Sequence, residues 1–193
     1  MDGWWGASYL VLWLLVLALA VVVVALARQI GTLHMRLGPR GALEIDDEGP
    51  PLGEAPQPIE TVDTRGEAVT IGGPGDGQLV MFVSPSCRMC REVLPGLAVT
   101  AAGAGLVPYV VTDDEEAPGS PDLDPQRLKA VVVADPRVPK NYAIPGTPYI
   151  VVIDSVGIVR AKGTVNNLEQ LEGLVDTASR RTNSYQGHTE AGE

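Results

Sequence analysis

The chain contains two cysteines, Cys87 and Cys90, separated only by Arg88 and Met89. Two cysteines cannot build a disulfide framework, so such a pair serves redox chemistry, metal binding or plain burial. A closed zinc site takes about four ligands. The two histidines, His34 beside an apolar block and His188 in the terminal tail, supply no convincing third and fourth, so no metal is expected. Burial of two small apolar groups would ask nothing of the neighbouring sequence. Here the pair directly follows the apolar run Gln78–Val83 and opens a helix-forming stretch that reaches Ala102.

That junction gives the pair a definite use. One helical turn brings the two sulfurs into bonding range, so dithiol and disulfide can interconvert with little backbone movement. Unpaired N–H groups and the dipole at a helix N-terminus favour negative charge, and the thiolate is the nucleophilic form of cysteine. Cys87 is therefore expected to attack a partner and form a mixed disulfide, which Cys90, one turn deeper, resolves. The steps reverse in the oxidising direction. No cofactor beyond the cysteine pair is implied.

The elements that must position the pair alternate between strand and helix. Gln78–Val83 suits a strand buried on both faces, and a shorter strand is expected at Ala68–Ile71, closed by the turn Gly72-Gly73-Pro74-Gly75. Pro95 lies inside the helix after Cys90 and should kink it. Residues 106–111 read as the next strand, and 126–132 as a short helix or strand. Tyr149 to Asp154 and Ile158 to Lys162 form a strand–turn–strand unit, preceded by Gly146-Thr147-Pro148. A proline cannot donate to a ladder, so Pro148 must stand at its strand's start. Leu168, Leu171, Leu174 and Val175 recur at helical spacing. This order predicts an α/β fold with a central mixed sheet flanked by helices.

Ahead of this unit, residues 3–27 carry no charge, with Trp4, Trp5 and Tyr9 at one end and Arg28 at the other. About 20 apolar residues span a hydrocarbon core, and aromatic rings favour its interface. The run exceeds a signal peptide's apolar region and no positive charge precedes it, so residues 1–30 are read as a retained anchor; a cleaved signal peptide is the alternative. Residues 31–58, rich in Gly, Pro and acid, read as a juxtamembrane linker, residues 59–179 as the folded domain, and 180–193 as a disordered polar tail. The net charge of −10, with acidic runs at Asp46-Asp47-Glu48 and Asp113-Asp114-Glu115-Glu116, argues against a nucleic-acid partner. The acidic runs read as solvated loops.

A Cys-x-x-Cys pair about 60 residues before Thr147-Pro148 resembles the thioredoxin superfamily. The resemblance implies a thioredoxin-like fold in which Pro148 is cis, faces the redox pair and helps present backbone groups to a peptide substrate, with Thr147 packed against the sulfurs. Further residues narrow it. Leu26-Ala27-Arg28-Gln29-Ile30-Gly31, Gly38-Pro39-Arg40-Gly41-Ala42, Val69-Thr70-Ile71-Gly72-Gly73, Ser84-Pro85-Ser86-Cys87 and Ile144-Pro145-Gly146-Thr147-Pro148-Tyr149 together resemble the MauD family of methylamine utilisation proteins. This implies a bacterial inner-membrane, single-pass thiol–disulfide oxidoreductase that forms or corrects disulfides in the disulfide-rich small subunit of methylamine dehydrogenase. Its domain would face the periplasm, where disulfides persist, with a membrane redox partner plausible beside it. Arg28, Arg36 and Arg40 after the anchor point the other way under the positive-inside rule.

Two positions depart from the pattern. Arg88 stands where the family carries proline, and its guanidinium is expected to stabilise a Cys87 thiolate. Met81 occupies the position of thioredoxin's buried acid. Both lean towards an oxidant or isomerase. The rival readings are delivery of reductant during cytochrome c maturation and a non-catalytic assembly chaperone. A peroxidase of the peroxiredoxin type fits poorly, because Val80 stands where that pattern has proline.

Overall fold

The computed structural model describes residues 3–36, 48–117 and 120–189, and the chain divides into two units, Met1–Arg40 and Gly41–Glu193. The first is a single helix, α1 (Gly3–Arg36). Its Trp4–Val22 stretch has a mean hydropathy of 2.3 and none of it is buried within the protein. At 1.5 Å per residue, 19 residues reach about 28 Å, enough to cross a hydrocarbon core. A helix satisfies its own backbone groups, and the Ser8 hydroxyl donates to the Trp4 and Trp5 carbonyls. The apolar stretch can therefore enter lipid without an unpaired polar group. The helix continues six residues past the expected end of the anchor.

The second unit is built on a five-stranded sheet of order β5-β4-β3-β6-β7. Its strands are β3 (Gln78–Val83), β4 (Val107–Thr112), β5 (Val131–Ala134), β6 (Tyr149–Ile153) and β7 (Val159–Thr164). β3 pairs in parallel with β4, and β4 with β5; β6 runs antiparallel to β3 and β7 antiparallel to β6. All six residues of β3 are buried, because successive side chains enter different cores. Leu79, Met81 and Val83 join one apolar cluster, and Val80 and Phe82 the other. Burying each large apolar side chain contributes about 1.5–3 kcal/mol, so this double-sided strand organises the domain.

Helices α2 (Arg88–Gly103) and α5 (Leu168–Thr189) supply the first cluster, through Cys90, Val93, Leu97, Leu171, Leu174 and Val175. Asn167 caps α5 by accepting from the Gln170 amide at 2.9 Å. The Leu168 side chain lies where any side chain at Gly96 would be, bringing the two helices close. The second cluster takes Val138 and Tyr142, at the end of α4 (Arg137–Asn141), and Ile59 and Ile71 of the hairpin β1 (Ile59–Val62) and β2 (Ala68–Ile71). A 3-10 turn at Pro121–Leu123 and the short α3 (Pro125–Leu128) precede β5.

The structure corrects the boundaries expected from sequence. Helix α5 continues through Thr189 where a disordered tail was expected from residue 180. The Arg181 guanidinium holds this turn by donating to the Arg160 carbonyl at 2.9 Å, and Arg180 pairs with Asp176 one turn back. The described end of the expected linker is also part of the domain. Gly53 donates to the Val159 carbonyl and Val159 to the Glu54 carbonyl, each at 2.9 Å. The Glu48 carbonyl accepts from Tyr149 Oη at 2.9 Å and from the buried Lys162 Nζ at 2.6 Å. Residues 37–47 of that linker lie outside the described residues.

Candidate redox site

Cys87 is the N-cap of α2, with extended backbone (φ −76°, ψ 103°). Its amide donates to the Ser84 carbonyl at 3.0 Å, so the Ser84–Cys87 turn is closed before the helix starts. Its Sγ accepts from the Cys90 amide at 3.1 Å, one of the N–H groups that a helix start leaves without a backbone partner. Cys87 and Cys90 form a disulfide with their Cα atoms 5.3 Å apart. The two sulfurs differ in access. Cys90 is 1% exposed and packs in the first core cluster with Met81, Val83 and Val93, whereas Cys87 is partly exposed at its edge. An incoming thiolate can therefore reach Cys87, and in such an attack Cys90 would be the internal leaving group.

The Thr147–Pro148 peptide bond is cis, as the thioredoxin resemblance implies. Phe82 faces Tyr149 across the β3–β6 ladder, which brings Pro148 to the same sheet end as Val83 and the turn leading to Cys87. Pro148 is buried and Thr147 exposed. Thr147 and Ser84 line one cavity, so the cis-proline loop and the cysteine turn share a boundary.

Arg88 is 84% exposed, with its Nε 3.7 Å from Glu92 Oε1 one helical turn on. A carboxylate so placed offsets the charge that Arg88 would bring to Cys87, and an exposed pair of this kind is weak. Met81 is fully buried. Among the described residues the buried carboxylates are Asp63, Asp135 and Asp154. Each is hydrogen-bonded to an arginine, respectively Arg65, Arg137 and Arg160. None of them belongs to β3, where Met81 stands.

In the sequence Asp113 reads as part of a solvated acidic run. Val83 pairs with Thr112 across the parallel β3–β4 ladder, so the run starts next to the cysteine turn and Asp113 lines the cavity shared by Ser84 and Thr147. The available signal was the parallel pairing of the two strands, which sets their C-terminal ends side by side.

No protein-family model matches the chain. The methylamine utilisation protein MauD of Paracoccus denitrificans is 35% identical over 174 residues, covering 88% of this chain and 86% of that protein. MauD of Methylophilus methylotrophus is 35% identical over 187 residues, covering 94% and 88%. Among solved structures, a thiol:disulfide interchange protein from Bacteroides sp. is similar with a TM-score of 0.52 at 23% identity, covering 69% of this chain and 91% of that one. A peroxiredoxin-like protein from Aquifex aeolicus gives 0.54 at 18% identity, covering 72% and 92%. These likenesses establish a thioredoxin-like fold around the Cys87–Cys90 disulfide. With this fold, this redox pair and curated relatives matched over almost their whole length, the chain belongs to the MauD family of methylamine utilisation proteins.

Proposed function

We propose that the chain is a membrane-anchored thiol–disulfide oxidoreductase that forms or isomerises disulfides in the small subunit of methylamine dehydrogenase. The observation that carries this reading is the asymmetric disulfide at the start of α2, with Cys87 reachable and Cys90 in the core. Family membership supports a disulfide-handling role in methylamine utilisation. The apolar stretch Trp4–Val22 supports an anchor, and the persistence of disulfides outside the cytosol supports a periplasmic domain.

In the oxidising direction a substrate thiolate attacks Cys87 Sγ. The Cys87–Cys90 bond breaks and Cys90 leaves as a thiolate that takes up a proton. A second substrate thiolate then attacks the substrate sulfur of the mixed disulfide. Cys87 leaves as a thiolate facing the Cys90 amide and the other open N–H groups of α2. Two electrons have passed from substrate to protein, with one proton bound at Cys90 and the other thiol proton released to solvent, and a membrane redox partner must accept the electrons for turnover. In isomerisation the reduced Cys87 opens a wrong substrate disulfide and is displaced by another substrate thiol, with no net electron transfer. Arg88, Thr147 and Pro148 flank this exchange as supporting residues. Met81, a side chain that takes up no proton, supports oxidant or isomerase over reductase.

Replacing Cys90→Ala in the full chain removes the resolving thiol. The variant is expected to hold its substrate as a mixed disulfide on Cys87, with the methylamine dehydrogenase small subunit identified by mass spectrometry after non-reducing purification. The intact pair should titrate at a reduction potential above about −200 mV. A trapped cytochrome precursor, or a potential near the thioredoxin value of about −270 mV, would overturn the reading.

A further inference from the structure

Tyr149 is the first residue of β6 and directly follows Pro148, so whatever fixes its ring also fixes the end of loop 144–148. Tyr149, Val151 and Ile153 enter the second core cluster, whereas Ile150 and Val152 enter the first, with Cys90. Side chains along a strand alternate between its faces, which sets Pro148, one step before Tyr149, on the Cys90 side. The exposed residues Pro145, Gly146 and Thr147 are held in front by Ile144, packed against the second cluster, and behind by Tyr149.

The Tyr149 side chain is 1% exposed, and what holds its outer end comes from the segment that enters the domain. Its Oη donates to the Glu48 carbonyl at 2.9 Å. The same carbonyl accepts from Nζ of the fully buried Lys162 on β7 at 2.6 Å. Gly49 lies directly against the ring. Its φ is +72°, and a Cβ there would stand 2.6 Å from Tyr149 Oη and 3.0 Å from Cε1 and Cζ. Glycine alone combines that backbone conformation with so close an approach. A side chain at Gly49 would have to displace either the ring or the Glu48 carbonyl.

Resting on the oxidoreductase reading above, we propose that Glu48, Gly49 and Tyr149 are positioning residues for exchange with polypeptide thiols. The Glu48–Gly49 backbone sets Tyr149, and through it the place of Thr147 and Pro148 beside the cysteine turn. None of the three touches a sulfur, and α2, which carries the cysteines, owes them no contact. A small thiol therefore reacts at Cys87 without their help. A polypeptide needs them, because its own backbone must lie along Thr147 and Pro148 while its thiolate meets Cys87 Sγ, and attack is sensitive to small misplacement.

The test uses the full chain, oxidised and in detergent micelles, with two reductants: dithiothreitol, and a reduced peptide of about eight residues carrying two cysteines. Each passes two electrons to the Cys87–Cys90 disulfide and becomes a disulfide itself. Loss of the protein disulfide is followed by rapid quenching, alkylation and mass spectrometry. Tyr149→Phe keeps the ring and removes the donor to Glu48, and Gly49→Ala displaces the ring. Both should lower the peptide rate constant about tenfold, an effect that misplacement away from the reacting atoms can reach. The dithiothreitol rate and the reduction potential against glutathione should stay at their wild-type values. Asp135→Asn, which removes hydrogen bonds elsewhere in the fold, should leave the peptide rate unchanged. Should Gly49→Ala not fold, Tyr149→Phe, which fills the same core space, decides alone. A wild-type peptide rate in Tyr149→Phe or in folded Gly49→Ala, or a dithiothreitol rate that falls by the same factor, would overturn the positioning role and leave the redox reading standing. A wild-type disulfide that neither reductant reduces would sink both.

Discussion

Asp135 shows how a single carboxylate links separate parts of the chain. It accepts from Thr61 Oγ1 at 2.8 Å, from the Arg137 amide at 2.9 Å and from Arg137 Nη2 at 2.6 Å. The hydrogen bond from the Arg137 guanidinium, with the Thr61 hydroxyl helping, holds its pKa down from 3.8 to about 2. The charged form is thus favoured by folding, so the stability it contributes is complete above 3.8 and is lost as pH falls through about 2. Asp135→Asn should be less stable than wild type at pH 7 by about 1–2 kcal/mol. Urea unfolding at successive pH values should show the gap closing between pH 4 and 2, and parallel curves would refute this role. Tyr142 is the opposite case. Its hydroxyl is buried with no hydrogen-bond partner among the described residues, and burial pushes its pKa up to about 12. It fills the space that a side chain at Gly72 (φ +84°) would need, so a residue with Cβ there would meet both backbone strain and a collision.

At the scale of elements, the domain begins earlier than its composition suggests. A soluble fragment starting at Glu48 keeps the two hydrogen bonds to Val159 and the partners of Tyr149 and Lys162 at the Glu48 carbonyl. A fragment starting at Ile59 loses them, including the Glu48 carbonyl as one acceptor of the buried Lys162 ammonium. Its urea midpoint should fall by roughly 1 M or more, given a slope of about 1–3 kcal/mol per molar; equal midpoints would show that residues 48–58 contribute nothing. This boundary was hidden from sequence reading for a physical reason. Gly49-Pro50-Pro51 signals broken regular structure, but not whether the chain docks, and the docking partners lie 101 and 114 residues away. α4 was hidden too, since its five residues include Pro139 and carry no periodicity. By contrast β3, β6 and α5 were legible because their burial patterns are written in consecutive residues. The cysteine pair was legible because its spacing is its chemistry. The cavity by Asp113 needed the β3–β4 register, which no local pattern encodes.

For the whole molecule, the arginines that follow the apolar stretch and the redox chemistry give opposed orientations, and the proposed function requires the domain outside the cytosol. Alkaline phosphatase, which needs disulfides to be active, should be active when fused after Arg40 in a bacterial host; an inactive but well-expressed fusion would reject the periplasmic assignment. The sheet also limits how the domain can hold a client. The outer edge of β7 is engaged at Val159 by Gly53 and Glu54, and that of β5 at Val132 by the Thr64 amide. An unpaired edge is where a foreign extended chain would add itself as a sixth strand. Each border is thus engaged from within at one residue, Val159 or Val132, which obstructs a foreign strand from adding there in register. On the proposed function, a client would then be held chiefly by the loops and sulfur at one end and released once its cysteines had been exchanged.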